Sequence, residues 1–284
     1  MSVTAQPTAF RVAILTLLAM LAFAGNSILN RAALAVGSID WATFTSVRLL
    51  SGACVLALLL GWRLGGAIIP RAADMKSALA LFSYAAFFSL AYLELTAATG
   101  ALILFACVQI SMQAIAVALG HKVNALQWSG LVVAFAGLVW LLLPGLAAPP
   151  ILPSLLMAAA GVSWGAYSWF GRGADHPVRA TARNFIGTVP LALMILLWAD
   201  GSPQPVGIML AIASGVITSA LGYVIWYAAL PYLNAPVAGT VQLSVPAIAA
   251  LGGVLFLSET ISVRLLAATI LILAGIALTL RTRH

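Results

Sequence analysis

The sequence predicts an all-α integral membrane protein of ten transmembrane helices, arranged as two inverted five-helix repeats. Three observations carry that expectation. Apolar runs of spanning length follow one another from Val12 to Leu280, with short, mostly charge-poor turns between them. Hydrophobic residues make up 63% of the 284 and charged residues 7%, against roughly 25% charged in a soluble domain. A stretch rich in proline and glycine, Pro144, Gly145, Pro149, Pro150 and Pro153, divides the runs five and five. A helix crossing about 30 Å of hydrocarbon needs roughly 20 residues, so ten spans leave almost nothing for a soluble domain.

The first span, 12–35, begins like a secretory signal but continues through Asn26, Ser27, Ile28 and Leu29 to Ala35 without a convincing cleavage site. The second, 41–61, ends where Arg63, Gly65, Gly66, Pro70 and Arg71 break the run. Spans three to five cover 76–97, 99–120 and 125–144, and the last stops at Pro144. Spans six to ten cover 151–171, 178–199, 205–230, 236–257 and 263–281. The two repeats are then residues 1–147 and 148–284. Cys54 and Cys107 both fall inside apolar runs, so neither a disulfide framework nor a metal motif follows, and both are expected to pack as small apolar residues.

With an even number of spans both termini share a side. That side collects Arg11, Arg63, Arg71, Lys76, Lys122, Arg172, Arg179, Arg281 and Arg283, while the other holds Arg31 and Arg264. Basic residues stay cytoplasmic, so both termini are expected inside, in a cell inner membrane. The net charge of +7 reports this orientation, and no nucleic-acid partner is expected. Five spans per half make the second half enter the membrane from the opposite side. Arg48 and Gly52 match Arg183 and Gly187, Phe88 and Tyr92 match Tyr223 and Tyr227, and Ala136 and Gly137 match Ala274 and Gly275. Inverted repeats are the usual build of secondary transporters.

Arg48 in "SVRLLSG", "WGAYSWFGR" from Trp164 to Arg172, and "PAIAALGGVLFLSETIS" from Pro246 to Ser262 resemble the drug/metabolite transporter superfamily of EamA type. Within it the chain is most similar to the YddG-like exporters of aromatic and other apolar amino acids. His121 and Lys122 depart from the pattern, standing where the first repeat would place an acid like Glu259. The resemblance implies a central cavity lined by helices 1, 3, 4, 6, 8 and 9, with helices 5 and 10 away from it, and a small-molecule substrate moved outward.

Polar side chains at bilayer depth are costly unless they are paired or face a cavity. Gln109 and Gln113 lie four apart on one face of the fourth span. Gln242 and Ser244 precede Pro246, which frees a backbone carbonyl. Asn26 is deep in the first span, whereas Asn30 lies nearer the outer surface, where it can simply pair with Arg31. Trp164 and Ser168 adjoin Gly161 and Gly165, whose spacing favours close helix packing. Tyr84, Phe88 and Tyr92 form one stripe, and Ser219, Tyr223 and Tyr227 another. The expected substrate-binding set is therefore Asn26, Tyr84, Phe88, Gln109, Gln113, Trp164, Ser168, Tyr223, Gln242 and Ser244. Aromatic walls with amides between them suit a partly apolar, partly zwitterionic solute. Trp41, Trp62, Trp128 and Trp198 fit the interfacial belt instead.

All six acids lie at or near helix ends and all three histidines in turns or at the terminus, so no intramembrane proton relay is visible. The chain reads as a facilitator or exchanger with no cofactor, no metal and no catalytic residues. A hydrolase would need a base at depth beside Ser111 or Ser168. Arg48 can recognise a substrate carboxylate, or pair structurally with Glu94 or with helix-end carbonyls. The structural pairing is preferred, because helix 2 flanks the expected cavity, and Arg183 can snorkel to the surface. Nucleoside, sugar or multidrug export, and a structural or signalling role, are the alternatives. A monomer is sufficient for the carrier.

Overall fold

The computed structural model describes residues 8–64, 68–120, 124–145, 148–171, 176–233 and 241–279, and among these no strand occurs. His121, Lys122, Arg172, Arg281, Arg283 and His284, and the side chains of Trp62 and Arg63, lie outside the described residues. Ten helices are present among the described residues: α1 Ala9–Leu34, α2 Trp41–Leu64, α3 Met75–Ala91, α4 Ala97–Ala118, α5 Ala125–Leu142, α6 Ile151–Phe170, α7 Pro177–Ile195, α8 Pro205–Tyr232, α9 Ser244–Leu257 and α10 Val263–Thr279. Seven of them, α1, α2 and α4 to α8, are long and apolar enough to cross a bilayer, while α3, α9 and α10 are shorter apolar helices. The chain is a multi-pass membrane protein.

Side chains at the helix ends explain many of the boundaries. Thr8 accepts from the Arg11 N–H at the start of α1, and Asp40 accepts from the Thr43 N–H at the start of α2. Asn124 and Gln127 form a reciprocal capping box on α5, and Ser262 caps α10 through the Leu265 N–H. Each satisfies an orphan donor of a first turn. Proline occupies the first helical position of α7 and α8, where its missing N–H costs nothing. The third span is shorter than expected. Helix α3 ends at Ala91, not near 97, because Thr96 accepts from the Thr99 N–H and starts α4.

Helix α8 is not uniform. Pro205–Ala213 is α-helical, Ser214–Leu221 is a π-helix and Gly222–Ala229 returns to α. The wide segment presses onto α2 at Gly215, where a Cβ would collide with the Arg48 carbonyl and Ser51 Oγ. Small residues allow such close approach inside a membrane. The same holds for α6 on α4, where a Cβ on Gly161 would meet Cys107 and the Leu104 carbonyl.

Helix α5 packs on α10, α2 on α7, α4 on α9, α3 on α6, and α1 on α8. Further contacts join α4 to α6, α1 to α9, α3 to α7 and α2 to α8. Large apolar side chains such as Leu58, Phe135, Leu155, Met209, Phe256 and Ile270 are exposed, forming the surface that lipid covers. Cys107 is buried as expected, but Cys54 is exposed on α2 and does not serve as packing.

Candidate functional site

A cavity lies among α1, α3, α4, α6 and α8. Its walls are Phe23 and Asn26 from α1, Tyr84 and Phe88 from α3, Leu104 and Phe105 from α4, Trp164 from α6, and Thr218 and Tyr223 from α8. Among the described residues none of α9 takes part, which departs from the helix set implied by family resemblance. Helices α5 and α10 contribute none either. The space is narrow, with room for little more than a water molecule.

Trp164 is the centre of the aromatic wall. Its ring centroid is 4.8 Å from Tyr84, 5.0 Å from Tyr223 and 6.5 Å from Phe23. All three pairs are tilted or edge-on, the arrangements that ring quadrupoles favour. Tyr84 also packs on Phe88 at 5.2 Å.

The polar part is a closed set of hydrogen bonds on Asn26. Its Nδ2 donates to Tyr84 Oη at 3.1 Å. Its Oδ1 accepts from Ser214 Oγ at 2.7 Å, Thr218 Oγ1 at 3.2 Å and Asn30 Nδ2 at 3.3 Å. Asn30 does not pair with Arg31: its amide also donates to the Asn26 carbonyl and to Ser214, and its Oδ1 accepts from Ser89. Ser214 and Thr218, four residues apart in the π-helix, share the face that α8 turns toward Asn26.

Arg48 lies immediately behind this wall and is 1% exposed. Its Nε donates to Ser219 Oγ at 3.1 Å and its Nη2 to Tyr84 Oη at 3.2 Å. The guanidinium carbon stands 5.2 Å from the ring centroids of both Tyr84 and Phe88, within cation–π range. Nη1 has no hydrogen-bond partner. The expected pairing with Glu94 or helix-end carbonyls is not what the structure contains.

Asn26, Tyr84, Phe88, Trp164 and Tyr223 thus meet at the cavity, and the other five expected residues lie elsewhere. Gln109 donates to Thr279 Oγ1 on α10 at 3.3 Å. Ser168 bonds its own helix at the Trp164 carbonyl, and Ser244 bonds the Val241 carbonyl just before α9. Gln113 and Gln242 are partly buried outside the lining. Reasoning from the sequence missed Phe23, Leu104, Phe105 and Thr218. Phe23, three residues before Asn26 on the same helical face, carried a usable signal, whereas Thr218 carried none, since α periodicity misplaces it.

Beyond the cavity, one rim is closed by charge. Glu259 accepts from Arg31 Nε at 3.3 Å and takes the Ala97 N–H on both oxygens, at 2.9 and 3.1 Å. Arg31 also donates to the Tyr92 and Leu93 carbonyls. Helix α9 ends in left-handed Ser258, φ 54°, and the Glu259 N–H returns to the Gly253 carbonyl, which folds the carboxylate over Gly253 onto α4. Burial pushes the Glu259 carboxyl above its usual range, against the lowering effect of the Ala97 N–H and Arg31. At the opposite rim Arg183 is not a snorkelling side chain but an ion-pair partner, 2.8 Å from Asp74. Among the described residues no three His, Cys, Asp or Glu side chains converge as metal ligands.

The second half of the chain, residues 151–281, matches the EamA-like transporter family. An uncharacterized protein of Pseudomonas aeruginosa is 46% identical over 275 residues, 96% of each chain. A protein of known crystal structure shares the fold with a TM-score of 0.66 at 19% identity, over 96% of this chain and 98% of that one. A ten-helix bundle with its cavity among the helices, and a family match through α6 to α10, lead to one conclusion: the chain belongs to the EamA-like transporter family.

Proposed function

We propose that this transporter exports small metabolites, chiefly aromatic and other apolar amino acids, by alternating access between residues 1–147 and 148–284. The observation that carries the reading is the cavity wall, in which Trp164, Tyr84, Tyr223, Phe23 and Phe88 surround one amide, Asn26. Rings of this kind bury an apolar side chain, and the polar groups among them hold its polar end. The outward direction rests on likeness to exporters.

An inverted repeat is supported by the helix contacts. Exchanging every helix with the one five places away turns the α1–α8 contact into α6–α3 and the α4–α6 contact into α9–α1. Both members of each pair are present, and α2–α7, α4–α9 and α5–α10 map onto themselves. Such symmetry gives a bundle two related ways to open around a fixed site. The distribution of Lys and Arg supports cytoplasmic termini in an inner membrane. One chain supplies the whole cavity wall, so a monomer suffices.

Among the described residues, no acid or histidine lines the cavity. That favours a facilitator or exchanger over a proton antiporter, and disfavours cationic drugs, which would meet no counter-charge. Gln109, Gln113, Ser168, Gln242 and Ser244 keep a place in the proposal as residues that a second conformation could bring to substrate. The test is counterflow in liposomes with labelled amino acids, nucleosides, sugars and cationic dyes. Exchange of aromatic amino acids without a pH difference is expected; a response confined to dyes overturns the reading.

A further inference from the structure

We propose that Arg48 is the anion-binding group of this cavity and that the ligand it takes carries a carboxylate, with an ammonium group dispensable. The proposal rests on the reading above that the cavity binds substrate, and it names the chemistry of that substrate.

A buried charge is costly unless it is paired and hydrogen-bonded. Arg48 is buried, yet the partners it has are neutral: one serine hydroxyl, one tyrosine hydroxyl and two ring faces. A guanidinium carries five N–H donors, and Nη1 finds no acceptor. Arg183, the matching residue of the other half, shows what a purely structural arginine receives here, a carboxylate at 2.8 Å. Arg48 is denied one by the fold. Its nitrogen Nη2 and the Asn26 amide donate to the same hydroxyl, Tyr84 Oη, and Tyr84 and Phe88, the two rings under the guanidinium, are themselves cavity walls. A carboxylate arriving beside Tyr84 would supply the absent counter-charge and match the planar fork two oxygens to two nitrogens.

The same wall offers an ammonium group little. Among the described residues it holds no acid, and its amide oxygen, Asn26 Oδ1, already accepts three hydrogen bonds. A cation in the cavity would face the Arg48 charge across two rings. Aromatic carboxylates without an amine therefore bind at least as well as the corresponding amino acid, and the amine without a carboxylate does not.

The experiment uses the purified full chain in liposomes, with 3-phenylpropionate, L-phenylalanine and 2-phenylethylamine as competitors and as internal substrates for counterflow. The charged hydrogen bonds at stake make 2-phenylethylamine weaker than 3-phenylpropionate by about 100-fold. Arg48→Gln abolishes that preference, and Arg48→Lys, which keeps the charge and loses the fork, retains part of it. The wild-type comparison needs no variant, so a misfolded Arg48→Gln does not rescue or sink the proposal. Equal binding of the acid and the amine by wild type overturns it. Exchange of 3-phenylpropionate but not L-phenylalanine upholds the carboxylate site and removes the amino-acid reading. Undiminished L-phenylalanine exchange by folded Arg48→Gln does the reverse. Failure of all three probes to bind overturns both.

Discussion

Arg48 on α2 and Arg183 on α7, partners under the proposed repeat, are treated by the protein in opposite ways. Arg183 sits at the rim, held by Asp74 at 2.8 Å. Arg48 sits behind the cavity with hydroxyls and ring faces for company and one nitrogen unbonded. Pairing at the rim secures the turn before α3 to α7 and leaves nothing for a ligand. Incomplete pairing at the centre stores binding capacity at some expense in stability, which is where a carrier needs it. Rim groups should therefore govern folding and central groups should govern transport.

The sharpest break of that division comes from Trp164→Ala. The ring stands among Phe23, Tyr84, Tyr167 and Tyr223; burying an apolar substrate against it is worth about 1.5–3 kcal/mol and stacking about 0.5–1.5 kcal/mol more, so counterflow should fall by roughly 30- to 2000-fold. Folded yield should hold, because the ring borders a cavity. A parallel loss of folded protein would make Trp164 a packing residue and erase the contrast.

The two arginines test it next. Arg183→Gln leaves Asp74 unpaired in a half-sheltered site, and thermal unfolding in detergent should show a loss of about 1–3 kcal/mol with transport per folded molecule unchanged. Arg48→Met should unfold no earlier than wild type, because exchanging an under-paired buried charge for an apolar side chain is often neutral or stabilising. Earlier unfolding of Arg48→Met than of Arg183→Gln would invert the comparison.

The Glu259 rim adds a pH dependence. Its folded carboxyl titrates above the ordinary carboxylate value, so the folded state binds this proton more tightly than the unfolded chain. Between those two values the contribution of Glu259 to stability falls as pH rises, and below the ordinary value it is constant. Arg31→Gln removes a group that holds the carboxyl down, so the falling limb should extend to higher pH in melts of the variant. An unchanged limb would show that the Ala97 N–H alone sets it. The smallest effects belong to Gln109→Ala, about 1 kcal/mol of stability from one hydrogen bond to Thr279, and to lipid-facing Leu266→Ala, within about 0.5 kcal/mol.

Much of the architecture was legible in the sequence, because hydropathy and proline punctuation act over twenty residues at a time. The site was legible where a residue is both polar or aromatic and deep: Asn26, Tyr84, Phe88, Trp164 and Tyr223 all reach the cavity. Gln109 has the same credentials, but Thr279 on a neighbouring helix satisfies its amide, and sequence does not reveal which helix a face will meet. The stripe Ser219, Tyr223, Tyr227 failed for a different reason. It assumes α geometry from Ser219 to Tyr223, across the end of a π segment, and Ser219 goes to Arg48 while Tyr223 goes to the cavity; Tyr227, one α turn further on, lies past the cavity in the neighbourhood of Gly171. Asn30 was misassigned to Arg31 because sequence proximity outweighed a bond to Ser214, 184 residues away.

The π-helix of α8 has a mechanical side. Its i→i+5 turns hold roughly one residue more than α turns, so the helix contains surplus contour length between fixed ends. Passing that surplus along the helix, as a wrinkle passes along a carpet, would turn each residue it crosses by about 100° and shift it by about 1.5 Å, with the ends of α8 stationary. Ser214 and Thr218 hold Asn26 from within the wrinkle, and Tyr223 lies just past its end. A one-turn displacement would exchange which of these faces the cavity without melting the helix, a route by which a rigid bundle could release what it holds.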